Sequence, residues 1–236
     1  MQLKWTLLII VALSVGARAQ EPKSREREQA PEQAKTQQQA VTNDDRGRAF
    51  IIGRESPSLS ALATHGRAVI SEPQQFSIFL GSGWQEAAMR AREPELANLL
   101  ANVRDQAQLT ALDERGVKNL FGAAYSQERL DDFVGNRNVS DLEIQSVLAG
   151  MIKDGTLLRP GANTIYVLFL DQGLRSTLGA MIAGKHYAAY HNFFNASGMK
   201  IHYVVVPFEA DPKTAYQIVL RAFVAAALNP AGFPLP

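Results

Sequence analysis

The sequence predicts an α/β fold, a single layered domain with a mixed sheet flanked by helices, on three observations. Ile165-Tyr166-Val167-Leu168-Phe169-Leu170 is a continuous apolar run of strand length, as expected for a strand covered on both faces. Behind Ser140-Asp141-Leu142-Glu143, a capping box, Ile144, Val147, Leu148, Met151 and Ile152 recur at i, i+3, i+4, i+7 and i+8, one apolar stripe of a helix ending near Gly155. Val204 to Val206 is a second strand, and Asp211-Pro212 then opens a second amphipathic helix that carries Ala215, Ile218, Val219, Ala222, Phe223 and Ala226 and stops before Asn229-Pro230. Strands interleaved with helices imply layers around one core, here residues 73–236.

The remaining elements follow in order. Residues 50–72 read as a lead-in, with Phe50-Ile51-Ile52 and Ala68-Val69-Ile70 as short edge strands or loosely packed segments between Gly, Ser and Pro. Phe76 to Leu80 is a β-rich run that stops at Gly81-Ser82-Gly83, after which Trp84 begins a helical stretch. Pro94 suits an early helical position before Leu96, Leu99 and Leu100, a further helix is expected from Leu109 to Phe121, and Gly135-Asn136 marks a turn. The long segment Asp171 to Lys200, between the two best strands, reads as a loop-rich insertion.

The N-terminus reads as an address. Lys4 precedes the apolar stretch Trp5 to Val15, and Ala17-Arg18-Ala19 places small residues at the spacing of a signal-peptidase site, so residues 1–19 are expected to be a signal peptide cleaved between Ala19 and Gln20. An apolar run of about a dozen residues falls short of the ~20 that span a bilayer, so no stable membrane span is expected afterwards. Residues 20–49 mix six basic and six acidic groups with many Gln and no aromatic residue, a disordered polar tail whose burial cannot offset the entropy of ordering. A secreted or periplasmic protein is therefore expected.

Composition excludes several function classes. The 236 residues contain no cysteine, which removes disulfides, thiol nucleophiles, thiolate zinc sites and iron–sulfur clusters. Of 24 Lys+Arg, the signal holds Lys4 and Arg18, leaving 22 against 23 Asp+Glu, a balance that argues against nucleic acid as a partner. Gly81-Ser82-Gly83 lies between a strand and a helix, where backbone N–H groups can cradle an anion, but it lacks the lysine of a P-loop and the third glycine of a dinucleotide fingerprint, so it reads as a tight turn. No G-x-S-x-G occurs, and neither Ser176 nor Ser197 has a nucleophile's context. Asn138-Val139-Ser140 and Asn195-Ala196-Ser197 are glycosylation sequons that identify no activity. His186 and His191 diverge by about 140° on a helix and cannot chelate as an i, i+4 pair, and His202 adds no fixed carboxylate. Neither a metal nor another cofactor is expected, and structural roles for these histidines are favoured over ligation.

The order of a strand ending in Gly81-Ser82-Gly83-Trp84, a capped helix, IYVLFL, Tyr190-His191-Asn192, IHYVVVPF and a helix running into Asn229-Pro230 resembles the phosphate-induced/EXORDIUM-like proteins and their secreted bacterial relatives, over residues 76–230. In that family the last helix reads H-E-x-x-E before N-P or D-P, like a zincin helix, and the resemblance implies a zincin-like topology. The corresponding positions here are Arg221, Ala222 and Ala225. Arg is a permanent cation and Ala offers no lone pair, so the resemblance implies a dismantled metal helix. Without any ancestor, the same alanines read as a close-packed core helix.

Together these readings predict an exported, non-catalytic binding or interaction protein. Its candidate ligand surface is Tyr187, Tyr190, His191, Phe193 and Phe194, suited to stacking on a saccharide, a peptide or an exported partner protein. The alternative is an exported, peptidase-like hydrolase drawing on His186, His191 or His202 at a site without a recognised motif.

Overall fold

The computed structural model describes residues 49–54, 68–99, 103, 106–120, 127–130, 133 and 137–231. The signal peptide, the tail up to residue 48 and the Gly135-Asn136 turn lie outside the described residues.

The described chain runs β1 (Phe50–Ile52), β2 (Gln74–Leu80), a 3-10 turn (Ser82–Gln85), α1 (Ala87–Arg90), α2 (Glu93–Ala97), α3 (Gln106–Asp113), β3 (Gln127–Leu130), β4 (Arg137–Ser140), α4 (Asp141–Asp154), β5 (Thr164–Leu170), β6 (Leu174–Leu178), β7 (Met181–Ile182), β8 (Ala189–Ala196), β9 (Met199–Val206) and α5 (Pro212–Leu228). Six strands form one mixed sheet in the order β1-β8-β9-β5-β2-β3, and β4-β6-β7 form a second, smaller one. β9, β5, β2 and β3 are mutually parallel, whereas β8 runs antiparallel to both β9 and β1.

The main sheet is covered on both faces. Ile165, Val167 and Phe169 of β5 join Phe79, Val204 and Val206 in one cluster with α5, Trp84, Leu96 and Leu112, whereas Tyr166, Leu168 and Leu170 join Ile78, Tyr203 and Val205 with α4 on the other side. The uninterrupted apolar run of β5 thus has the cause expected of it, since both side-chain directions are buried. From β2 the chain passes through α1–α3 on the α5 side to β3, then returns through α4 on the opposite side to β5. Reversing the direction of travel along the sheet swaps the helix face, as crossovers of a single hand require.

Both predicted helices begin at their capping residues. The N–H of Glu143 donates to Ser140 Oγ at 3.3 Å, and the N–H of Thr214 donates to Asp211 Oδ2 at 2.8 Å. Glu143 takes a different partner from the one a capping box supplies, because its carboxylate accepts from Arg137 Nη1 at 2.7 Å. α4 ends at Gly155, where φ of +84° needs a residue without a Cβ. The helix expected from Leu109 to Phe121 is shorter and starts earlier; Gly116, at φ +86°, lies in the turn that follows α3.

Of the two alternatives for Phe50 to Ile52, the edge strand is the one found: β1 pairs with β8 from Phe50↔His191 to Ile52↔Ala189. The end of the tail needs correction, because Ala49, assigned to it, is buried. Ile70 makes no strand but is also buried, its N–H donating to Ala227 O at 2.8 Å. The segment Asp171 to Lys200, read as loop-rich, is about half strand: it holds β6, β7 and β8. Its mixture of His, Asn and aromatic residues disguises β8, whose Tyr190, His191 and Asn192 are buried in the sheet.

Candidate functional site

The carboxyl ends of the parallel strands bring together the turn after β2 and the turn after β5. Asp171, next after β5, is buried; its Oδ2 accepts the N–H of Gly83 at 2.7 Å and its Oδ1 that of Gly173 at 2.9 Å. Trp84 Nε1 donates to Phe169 O at 3.0 Å, clamping the two turns further. Gly81 has φ +115°, and a Cβ there would lie 2.3 Å from Asp171 Oδ2. The glycines therefore admit an internal carboxylate, so the anion held at Gly81-Ser82-Gly83 is the protein's own side chain.

Past β2 the chain leaves toward β3 at one edge, and past β5 it leaves toward β8 and β9 on the other side. Such a reversal opens a crevice beyond the strand ends in open α/β sheets, where ligands commonly bind. Here a crevice of about 580 Å³ is lined by Arg137 and Asn138 of β4, Gln172, Gly173, Leu174 and Arg175 after β5, Ala183 and Gly184 after β7, and Pro207 and Phe208 after β9. Asn138 and Arg175 are register partners across the small sheet, so their side chains project to one side. The Arg137 guanidinium lies 4.3 Å from the Phe133 ring centroid while pairing with Glu143. Arg92 lies 5.4 Å over the Phe208 ring and donates to Glu209 O, which steadies the crevice wall.

The aromatic surface expected from the sequence is a correction. Tyr187, Tyr190, His191, Phe193 and Phe194 are all between 0% and 5% exposed and offer no surface to a ligand. Four of them belong to β8, where successive side chains enter opposite faces of a covered sheet. Tyr190 and Phe194 enter the α4 side; His191 faces the other side, stacked on Phe50 with centroids 5.1 Å apart.

On the α4 side the structure assembles a polar cluster around Asp141, the first residue of α4, which the sequence reading passed over. Its Oδ1 accepts from Tyr203 Oη at 2.6 Å and Tyr190 Oη at 2.7 Å, and its Oδ2 accepts from Gln145 Nε2 at 2.9 Å and Asn192 Nδ2 at 3.1 Å. Burial pushes the Asp141 carboxyl above its ordinary 3.8, against the pull of these four hydrogen bonds. Burial first, and the Asp141 charge next, push the Tyr190 and Tyr203 phenols well above 10. Tyr187 is pushed up to about 12 by burial, and its hydroxyl meets Ser176 Oγ at 2.6 Å. The available signal was the pair of tyrosines and an asparagine on adjacent strands, but nothing local ties them to an acid 49 to 62 residues away.

The three histidines do not make one site. His186 is exposed, its Nδ1 accepting the N–H of Ile182 at 2.9 Å. His191 is buried with Nε2 unpartnered, and burial, then the neighbouring His202, push it down to about 3. His202 is pushed down to about 4 by burial and then by Lys200. Among the described residues no group of three or more His, Asp or Glu stands close enough to hold a metal ion. On α5, Arg221 is half-buried, with Nη2 donating to Gln217 Oε1 at 3.2 Å, whereas Ala222 and Ala225 are fully buried against the sheet. Ser176 is bonded to a tyrosine rather than a histidine, and Ser197, at φ +50°, turns the β8–β9 hairpin.

Comparison of the chain with protein-family models, with curated proteins and with solved structures finds no match in any of the three. Among the described residues no helix is long and apolar enough to cross a membrane.

Proposed function

We propose that this protein is an exported, non-catalytic binding protein whose ligand sits in the crevice beyond the carboxyl ends of β5 and β9. One observation carries the reading. A crevice of about 580 Å³ is within the ~300–1,000 Å³ usual for small-ligand sites, and its described lining consists of cations, amides and apolar walls without a nucleophile, a general base or a metal-binding side chain. Such groups bind and orient; they do not move protons near neutral pH.

Export rests on the N-terminal pattern, with cleavage after Ala19 and residues 20–48 as a tether to the folded part. Kinship with the EXORDIUM-like proteins, and the zincin-like topology it implies, rest on the motif order given above. The buried alanines at positions 222 and 225 are compatible with a dismantled metal helix and equally with a close-packed one.

Two measurements test the reading. Sequencing of the protein from the outside of the producing cell is expected to begin at Gln20. Titration with short saccharides and peptides, followed by amide NMR, is expected to move Gln172, Gly173 and Gly184. Shifts confined to another surface, or stoichiometric zinc whose removal by a chelator abolishes a peptidase activity, overturn it.

A further inference from the structure

We propose that the crevice binds short acidic saccharides and takes a sugar carboxylate on Arg175, which shares one side of the small sheet with Asn138. This rests on the crevice being the ligand site, and it adds the chemical class of ligand.

Of the two cations in the crevice, Arg137 is paired with Glu143, whereas Arg175 has no acidic partner among the described residues. Arg137 and Arg175 line it together, and no acidic side chain is among its described lining residues. The acids nearby are engaged elsewhere: Glu143 with one edge of Arg137, Asp171 with the N–H groups of Gly83 and Gly173, and Glu209 with Arg54 at 3.1 Å. Arg175 is exposed and makes no hydrogen bond or ion pair among the described residues. A guanidinium presents five donors in a planar fork that matches a carboxylate, and the Arg175 fork is exposed to take one.

The other lining groups favour a sugar over a bare anion. Asn138 and Gln172 are exposed primary amides, each able to donate to and accept from a hydroxyl. Pro207 and Phe208 form an apolar wall of the kind that packs against the C–H face of a pyranose ring, and Phe208 is held by Arg92 behind it. Gln172 is carried on a rigid turn, because Asp171 bonds the N–H of Gly173. Carboxylate, hydroxyls and an apolar ring face on one small molecule are the features of a uronic acid, and the volume suits a ligand of about one or two rings.

The test titrates the full folded chain with digalacturonate, cellobiose and inorganic phosphate at two salt concentrations, reading amide shifts and calorimetric affinity. Digalacturonate is expected to move the Gln172, Gly173 and Gly184 amides and to bind more weakly at higher salt. Arg175→Gln, a change at an exposed side chain, is expected to weaken it at least tenfold without changing the melting temperature, and cellobiose is expected not to bind measurably. Equal binding of cellobiose overturns the acidic class while leaving the crevice as the site. Phosphate binding as tightly as digalacturonate reduces the site to a simple oxyanion subsite and overturns the saccharide. Digalacturonate affinity undiminished in Arg175→Gln removes the arginine from the proposal, and the absence of crevice shifts with every probe overturns the site itself.

Discussion

Asp141 and His191 are the two residues on which the interior chemistry turns. Asp141 gathers four donors, and removing it leaves two phenols and two amides without their shared acceptor. Asp141→Ala is therefore expected to lower stability by about 3 kcal/mol or more in urea denaturation, the scale for breaking a buried polar network by deleting one member. Its raised carboxyl takes up a proton in the folded state before it does in the unfolded one, so Asp141 is not the source of acid sensitivity. The imidazoles are. With folded values pushed down to about 3 and about 4, His191 and His202 bind protons in the unfolded chain first as pH falls below 6.5. Stability is expected to be fully present above pH 6.5 and to fall toward pH 4, by roughly 3 kcal/mol per imidazole. His191→Phe, which replaces a ring with an unpartnered nitrogen, is expected to be no less stable at pH 7 and to flatten the pH profile by about one proton.

Among the elements, α5 and β8 differ most in how well local signals describe them. α5 has its first-turn proline and its apolar face within 17 residues directly behind its cap, Asp211, and it lies where those signals put it. Its alanines let the helix approach the sheet closely, so Ala222→Glu and Ala225→Glu each place an unpaired carboxylate where nothing is exposed. The triple change Arg221→His, Ala222→Glu, Ala225→Glu is expected to unfold the domain in the absence of zinc, seen as loss of the cooperative thermal transition. A soluble variant with unchanged melting would mean that the helix is less tightly packed than described. In β8, by contrast, Tyr190, His191, Asn192 and Phe193 alternate across two buried faces, where the Tyr190 hydroxyl and the Asn192 amide reach Asp141 of α4 and the His191 ring stacks on Phe50 of β1. Residue types that favour loops when considered locally are here satisfied by distant chain. Gly81 belongs with β8 in this respect. Its need for φ +115° and for empty space beside Asp171 comes from the turn after β5, and Gly81→Ala is expected to melt well below the unsubstituted protein.

In the molecule as a whole, β1 closes the β8 edge of the main sheet, and the crevice opens at the carboxyl ends of its parallel strands. A chain shortened to begin at residue 73 loses β1, Ala49 and Ile70 and uncovers the β8 edge; it is expected to aggregate or melt early, measured by size-exclusion and thermal denaturation. The near balance of charge in the composition conceals a local excess, because acids near the crevice are paired inward while Arg175 is left to solvent. The α/β class, the two capped helices, the central strand β5 and the absence of cysteine were all readable along the chain, since each depends on residues within one or two turns or on plain counting. The sheet order, the role of Asp141, the burial of the supposed aromatic surface and the two arginines of the crevice were not. They arise from pairings between segments tens of residues apart, and a one-dimensional pattern specifies which side of an element is apolar without specifying what will meet it.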